Sequence, residues 1–163
     1  MPALAEVGTR LASIAVVMRR GLTAALVAGA LGVAGIVPVA EAESAYRVIV
    51  HSQVKGSQIP RTTLSSIFLK QAPRWGDGLP VQPVDQSMRS RIRQSFVADV
   101  LQQPLVEVQI FWSRRMATGV TPPPVKQTDQ DVVAYVAATP GAIGYVSPSV
   151  PLPEGVREIA IVQ

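Results

Sequence analysis

From residue 46 onward the apolar positions switch between short β-branched runs and three-to-four-residue spacing, a pattern that predicts alternating strands and helices. Residues 46–50, Tyr-Arg-Val-Ile-Val, read as a strand. Residues 60–70 follow as a helix, with Leu64, Ile67 and Phe68 on one apolar face and Thr62 or Thr63 as its cap. The Gly76-Asp77-Gly78 run turns the chain into a second short strand at 81–84, and residues 85–88 lead into a helix started at Ser90. On that helix Ile92, Phe96, Val100 and Leu101 share a face, while Arg91, Arg93 and Asp99 project elsewhere. A helix over 105–116 carries Val108, Phe111, Trp112 and Met116 as its buried stripe. Three successive prolines lack amide hydrogens, so 119–124 is a loop. Residues 129–138 form a last helix, begun at Thr128 or Asp129, with Val132, Val133 and Val136 inward, and strands at 142–146 and 156–162 close the chain. The fold class this implies is α/β, a small mixed sheet flanked by helices.

The first 42 residues have a different character. Residues 21–40 are almost wholly small or apolar, follow Arg19 and Arg20, and precede Ala40-Glu41-Ala42, a small-x-small cleavage pattern. Residues 1–42 therefore read as a secretory signal, with translation starting at Met18, and the localisation expected is periplasmic. The other reading is an uncleaved membrane anchor, for which a stretch of about 20 residues suffices, although Gly, Ala and Pro38 weaken it as a helix. Residues 43–163 are enough for one domain and too few for two.

Charge and composition narrow the function. The net charge of +4 admits an anionic partner, but no dense basic face interleaved with aromatics points to nucleic acid. The chain has no cysteine, which excludes disulfides and thiolate metal sites. His51 is the only histidine, with no second one to share a metal, and reads as a strand-end surface or loop residue. Asp129 and Asp131 stand at a helix start, where negative charge favours the helix dipole. Neither a Gly-x-Ser-x-Gly elbow nor a P-loop occurs. Trp112 lies on an apolar stripe and reads as core, and Trp75 as a residue that packs its loop onto the domain. No metal or cofactor is implied, and an enzyme is the least favoured class.

Five pieces then occur in order: the 46–50 strand, Ile67-Phe68-Leu69-Lys70, Trp75-Gly76-Asp77-Gly78, the Ser90-to-Phe96 helix start, and the 140–147 run Pro-Gly-Ala-Ile-Gly-Tyr-Val-Ser. Together they resemble the second lobe of the substrate-binding proteins of phosphate ABC transporters, especially short, exported, single-lobe relatives, over nearly all of 46–148. The resemblance implies a single periplasmic-binding-protein-like lobe over 43–163. It also implies an oxyanion site at the helix that Ser90 opens, where amide hydrogens and a partly positive helix end attract anions. In such relatives a Ser-Gly-Thr-Arg run opens the helix, and an arginine stands four residues before the serine. Here Ser90 matches the serine and Arg93 the trailing arginine, Arg91 and Ile92 replace the glycine and threonine, and Gln86 stands in the place of the preceding arginine. The candidate ligand-binding set is Ser90, Arg91, Arg93, Arg89 and Ser87. The alternative is that Ser90 is simply an N-cap, worth about 1 kcal/mol, with the arginines solvated.

Two-lobed binding proteins close over an ion from both sides, so a single lobe offers half a site, which a homodimer or an envelope protein partner would complete. The strands at 46–50 and 156–162, where a second lobe would join, are expected to be tied to the sheet or left as edges open to another strand. Three functions follow: an exported solute-binding lobe for phosphate or another small oxyanion; a periplasmic adaptor that keeps the lobe without the ligand; and, last, an enzyme.

Overall fold

A computed structural model describes residues 44–163; the signal at 1–42 and the start at Met18 lie outside the described residues. Among the described residues no helix is long and apolar enough to cross a membrane.

Strands β1 (Arg47–His51), β2 (Gln58–Pro60), β3 (Gln82–Pro83), β6 (Ala142–Val146) and β7 (Val156–Val162) form one mixed sheet in the order β2-β7-β1-β6-β3. β1 runs antiparallel to both β6 and β7, with Ile49 opposite Gly144 on one side and Glu158 on the other. β2 and β3 add parallel strands at the two edges. A separate two-stranded ladder joins β4 (Asp85–Gln86) to β5 (Val125–Lys126) in parallel.

Alternation along β1 and β6 sends side chains to both faces. Val48, Val50, Ile143 and Tyr145 enter one core, which lies under α1 (Arg61–Phe68), α2 (Arg91–Phe96) and α3 (Leu105–Met116). Tyr145 stacks on Phe96 at 3.9 Å and meets Phe68 at 5.6 Å. Ile49, Ala142 and Val146 enter the other core, against Val132, Val133 and Val136 of α4 (Asp129–Ala138). Because β6 is buried along its whole length, its glycine has a packing role: a Cβ on Gly144 would stand 2.7 Å from Val132 Cγ1 and 2.8 Å from Val84 Cγ1. Gly141, at φ +80°, makes the entry turn, where a Cβ would meet the Pro80 carbonyl.

The last two helices and last two strands lie where the periodicity put them, and the other differences from expectation have local causes. α1 is capped by Pro60, not by Thr62 or Thr63, because residues 58–60 are drawn into β2 alongside β7. It ends at Phe68, with Lys70 left-handed at φ 53°. The 81–84 strand shrinks to two residues, and 85–86 turns away to pair with β5. α2 passes into a π-turn over Val97–Leu101 that adds a residue to the coil and buries Val97, Val100 and Leu101 together. Arg93 is buried on that helix rather than projecting away, and Met116 is 51% exposed rather than part of a buried stripe. His51 is buried, its Nδ1 accepting from the Gln53 amide at 3.1 Å. Trp75 packs its loop onto the domain by donating Nε1–H to Gly141 O at 2.9 Å. β1 and β7 are both interior strands, and the actual edges are two and three residues long, each with a proline. Such edges offer no strand to extend.

Candidate functional site

β4 leaves the main sheet where Asp85 N donates to Pro124 O (2.9 Å) and Ser87 N to Lys126 O (3.0 Å). This places residues 85–90 between the start of α2 and the start of α4. Asp85 is nearly enclosed and doubly matched: Oδ2 pairs with Arg93 Nη2 at 2.8 Å, and Oδ1 accepts from the Tyr145 hydroxyl and from Gln86 N. Burial pushes the Asp85 carboxyl above its ordinary range, while the Arg93 charge and the two hydrogen bonds oppose the rise. Burial, followed by the Asp85 charge, raises the Tyr145 phenol as well, so this hydroxyl is a structural donor.

Gln86 is the hub of the next layer and is 3% exposed. Its Nε2 donates to Asp129 Oδ1 at 2.7 Å and to Tyr145 O at 2.9 Å, and its Oε1 accepts from Ser90 Oγ at 2.5 Å. Its carbonyl accepts from Arg93 Nη1 at 2.8 Å. Asp129 completes the network, Oδ2 accepting from Ser147 N at 3.2 Å and from Ser147 Oγ. Every polar atom of the Gln86 side chain thus has a partner inside the protein.

Above Gln86 opens a cleft of about 400 Å³, lined by Ser87, Arg89, Ser90 and Ile92 on the α2 side and by Gln127 and Asp129 on the α4 side. Ser90 is the N-cap of α2, its Oγ accepting from Arg93 N at 3.3 Å. Ser87 accepts the Ser90 amide on its carbonyl and the Arg89 amide on its Oγ. Arg89 is exposed at the cleft, and its guanidinium has no hydrogen-bond or ion-pair partner among the described residues. The amides of Arg91 and Ile92, in the first turn of α2, also lack one.

Of the five candidate residues, Ser87, Arg89 and Ser90 come together at this cleft. Arg91 is exposed and does not line it, and Arg93 is committed to Asp85 and the Gln86 carbonyl beneath. Residue-by-residue reading missed the hub role of Gln86 and the place of Asp129 in the cleft wall. A signal for the second existed: Thr128-x-x-Asp131 already forms the capping box of α4, which frees Asp129 for another task. No cluster of metal-ligating side chains occurs among the described residues.

No protein-family model matches the chain, and no curated protein matches it. Among solved structures, the chain is similar to an ABC-type phosphate transport receptor from Vibrio cholerae, with a TM-score of 0.56, 16% identity, and coverage of 72% of this chain and 46% of that one. It is similar to PstS from Borrelia burgdorferi to the same degree, with a TM-score of 0.56, 15% identity, and coverage of 72% and 47%. The chain spans less than half the length of these proteins. What the sequence resemblance implied for the architecture therefore holds: this chain has the fold of part of a phosphate-transport substrate-binding protein, a periplasmic-binding-protein-like α/β unit.

Proposed function

We propose that the protein is an exported, non-enzymatic solute-binding lobe that takes phosphate or another small oxyanion, weakly, at the cleft around Ser90. The observation that supports this is the convergence of an unpaired Arg89 with the Ser87 and Ser90 hydroxyls on a cleft at the start of α2. Free amides, hydroxyls and a guanidinium are the donor set that oxyanions require. Weakness follows from the same network. Gln86 is neutral and fully bonded, so the buried cation of the resembled site is missing, and the Asp129 carboxylate faces the incoming anion. Closing over the ion takes a second surface, from another copy of the chain or from an envelope protein. That surface would sit on the cleft, since the short proline-bearing edges of the sheet admit no added strand.

The test is a thermal melt with phosphate against sulfate and chloride at matched ionic strength. At about 100 times its dissociation constant a ligand adds roughly 2.7 kcal/mol, which moves a domain of this size by several degrees. A phosphate-selective shift is expected only at millimolar concentrations and is lost in Arg89→Ala, a substitution at an exposed, unpartnered side chain. A second reading is favoured by the closed Gln86 network, which leaves no buried donor for an ion: an adaptor lobe without a ligand. No selective shift, together with a protein partner recovered by pull-down, would select it.

A further inference from the structure

Between β4, α3 and the proline loop lies a second groove of about 580 Å³, which shares Ser87 and Arg89 with the first but is otherwise lined differently. Its walls are Val108, Trp112, Met88, Met116, Pro123 and Val125. Single exposed apolar residues are ordinary on a protein surface, but a cluster of them is not. Five large hydrophobic residues are exposed among those described, and three of them, Met88 (44%), Met116 (51%) and Val125 (47%), line this one groove. Two methionines against an indole make a soft, adaptable apolar wall. The volume falls within the range of small-molecule sites, roughly 300–1,000 Å³.

The charges in the groove have one net sign. Asp85 is consumed by Arg93, Tyr145 and the Gln86 amide. Arg93 lines the groove at 7% exposure, and its charge is matched by Asp85. Arg89 also lines the groove and its guanidinium is unpaired. Such a site accepts an apolar body that ends in one negative group.

We propose that this groove is a binding site for amphiphilic monoacids, small molecules with an aryl or alkyl body seated against Trp112, Met88 and Met116 and an acid group held by Arg89. The site goes beyond the oxyanion reading and does not rest on it, because its affinity comes from the apolar wall that the Ser90 cleft lacks.

The experiment titrates the full chain by calorimetry with phenylbutyrate, with phenylbutanol, which has the same body without the charge, and with inorganic phosphate. Phenylbutyrate is expected to bind about tenfold more tightly than phenylbutanol, the value of one charge-assisted contact. Arg89→Ala should remove most of that advantage. Met116→Glu, at an exposed helix end away from the Ser90 cleft, should weaken phenylbutyrate by about tenfold or more while leaving the circular dichroism spectrum and the phosphate response of the parent unchanged. Equal affinity for acid and alcohol would overturn the proposal, as would binding indifferent to Met116→Glu or no binding of either probe. A dimer that Met116→Glu dissolves, with no phenylbutyrate binding, would overturn it in favour of a face covered by a second copy. Phenylbutyrate binding without any phosphate response would leave this site standing and remove the oxyanion reading alone.

Discussion

Asp129→Asn is the substitution that separates the two consequences of the cleft network, because it should lower stability and raise anion affinity together. Asp129 accepts on both oxygens, from Gln86 Nε2 at 2.7 Å and from Ser147 N and Oγ. Asparagine supplies one acceptor. If its oxygen faces Ser147, its amide meets the Gln86 amide donor to donor. Flipping Gln86 repairs that contact but withdraws Nε2 from Tyr145 O and Oε1 from Ser90 Oγ, bonds of 2.9 and 2.5 Å. Every arrangement leaves one or two enclosed polar groups unmatched, at about 1–3 kcal/mol each. Loss of a negative charge from the first turn of α4 adds about 0.3–1 kcal/mol. The expected cost is about 2–3 kcal/mol, read as a lower urea midpoint with unchanged slope and as a fall in melting temperature of roughly 8–12 °C.

The anion response should move the other way. A carboxylate about 7 Å from a bound monoanion opposes it by roughly 2 kcal/mol at an effective dielectric constant near 20, reduced to about 1 kcal/mol by salt. Removing it should tighten phosphate about fivefold. In a double-mutant cycle, the cost of Asp129→Asn should shrink by about 1 kcal/mol or more in a Gln86→Leu background, where the hub is already lost. A stability loss below about 0.5 kcal/mol would refute the network as described, and a weaker phosphate response would refute the placement of the anion beside Asp129.

Three other outcomes follow from the packing and the buried charges. Gly144→Ala should cost about 1–3 kcal/mol by denaturant unfolding, because its Cβ falls within 2.8 Å of two valine methyls, from Val132 and Val84. Arg93→Met leaves the Asp85 carboxylate enclosed and unpaired and should cost about 3–5 kcal/mol, part of which Asp85→Asn restores in the double variant. The native state holds the Asp85 proton more tightly than the unfolded chain, whose carboxyl titrates near 3.8, so this group's contribution to stability is greatest below 3.8 and declines as pH rises through the raised native value. A pH series of unfolding free energies should show that slope in the parent and lose it in Asp85→Asn.

Where periodicity alone decided an element, the sequence was legible. α3, α4, β6 and β7 carry strong repeats and lie at the residues the pattern named. Failures cluster where tertiary partners override local preference. Pro60 reads as the first residue of a helix until β7 is beside it, and 85–86 look like a helix approach until β5 is. The π-turn has no sequence signature, so the pattern cannot phase the face of the Ser90 helix, and it sets Arg93 off the apolar face and among the candidate ligand residues, whereas the structure buries it against Asp85. The site was half legible. Ser87, Arg89 and Ser90 converge because they flank one helix start, whereas Gln86 and Asp129 meet across 43 residues, a contact that only the packing of α4 on β6 creates.

Gln86 also bears on how this unit is stable with its cleft empty. An arginine there, as the resemblance would have it, would bury a cation whose match comes from a bound anion, and the empty lobe would carry the desolvation cost of an uncompensated charge, several kcal/mol. Glutamine removes the charge and keeps the geometry: two N–H groups and one carbonyl, all matched by Asp129, Tyr145 and Ser90. The one buried cation among the described residues, Arg93, is neutralised from within by Asp85. Stability of the empty unit is thereby uncoupled from ligand, and an anion adds to it only what its affinity and concentration supply. The same exchange that stabilises the unit with no anion bound accounts for why the Ser90 cleft should bind weakly, so Gln86→Arg should trade one property for the other. The variant is expected to be destabilised in chloride and largely rescued by phosphate at millimolar concentration, in paired thermal melts. A variant as stable as the parent in chloride, with no phosphate-selective rescue, would break the link between the two.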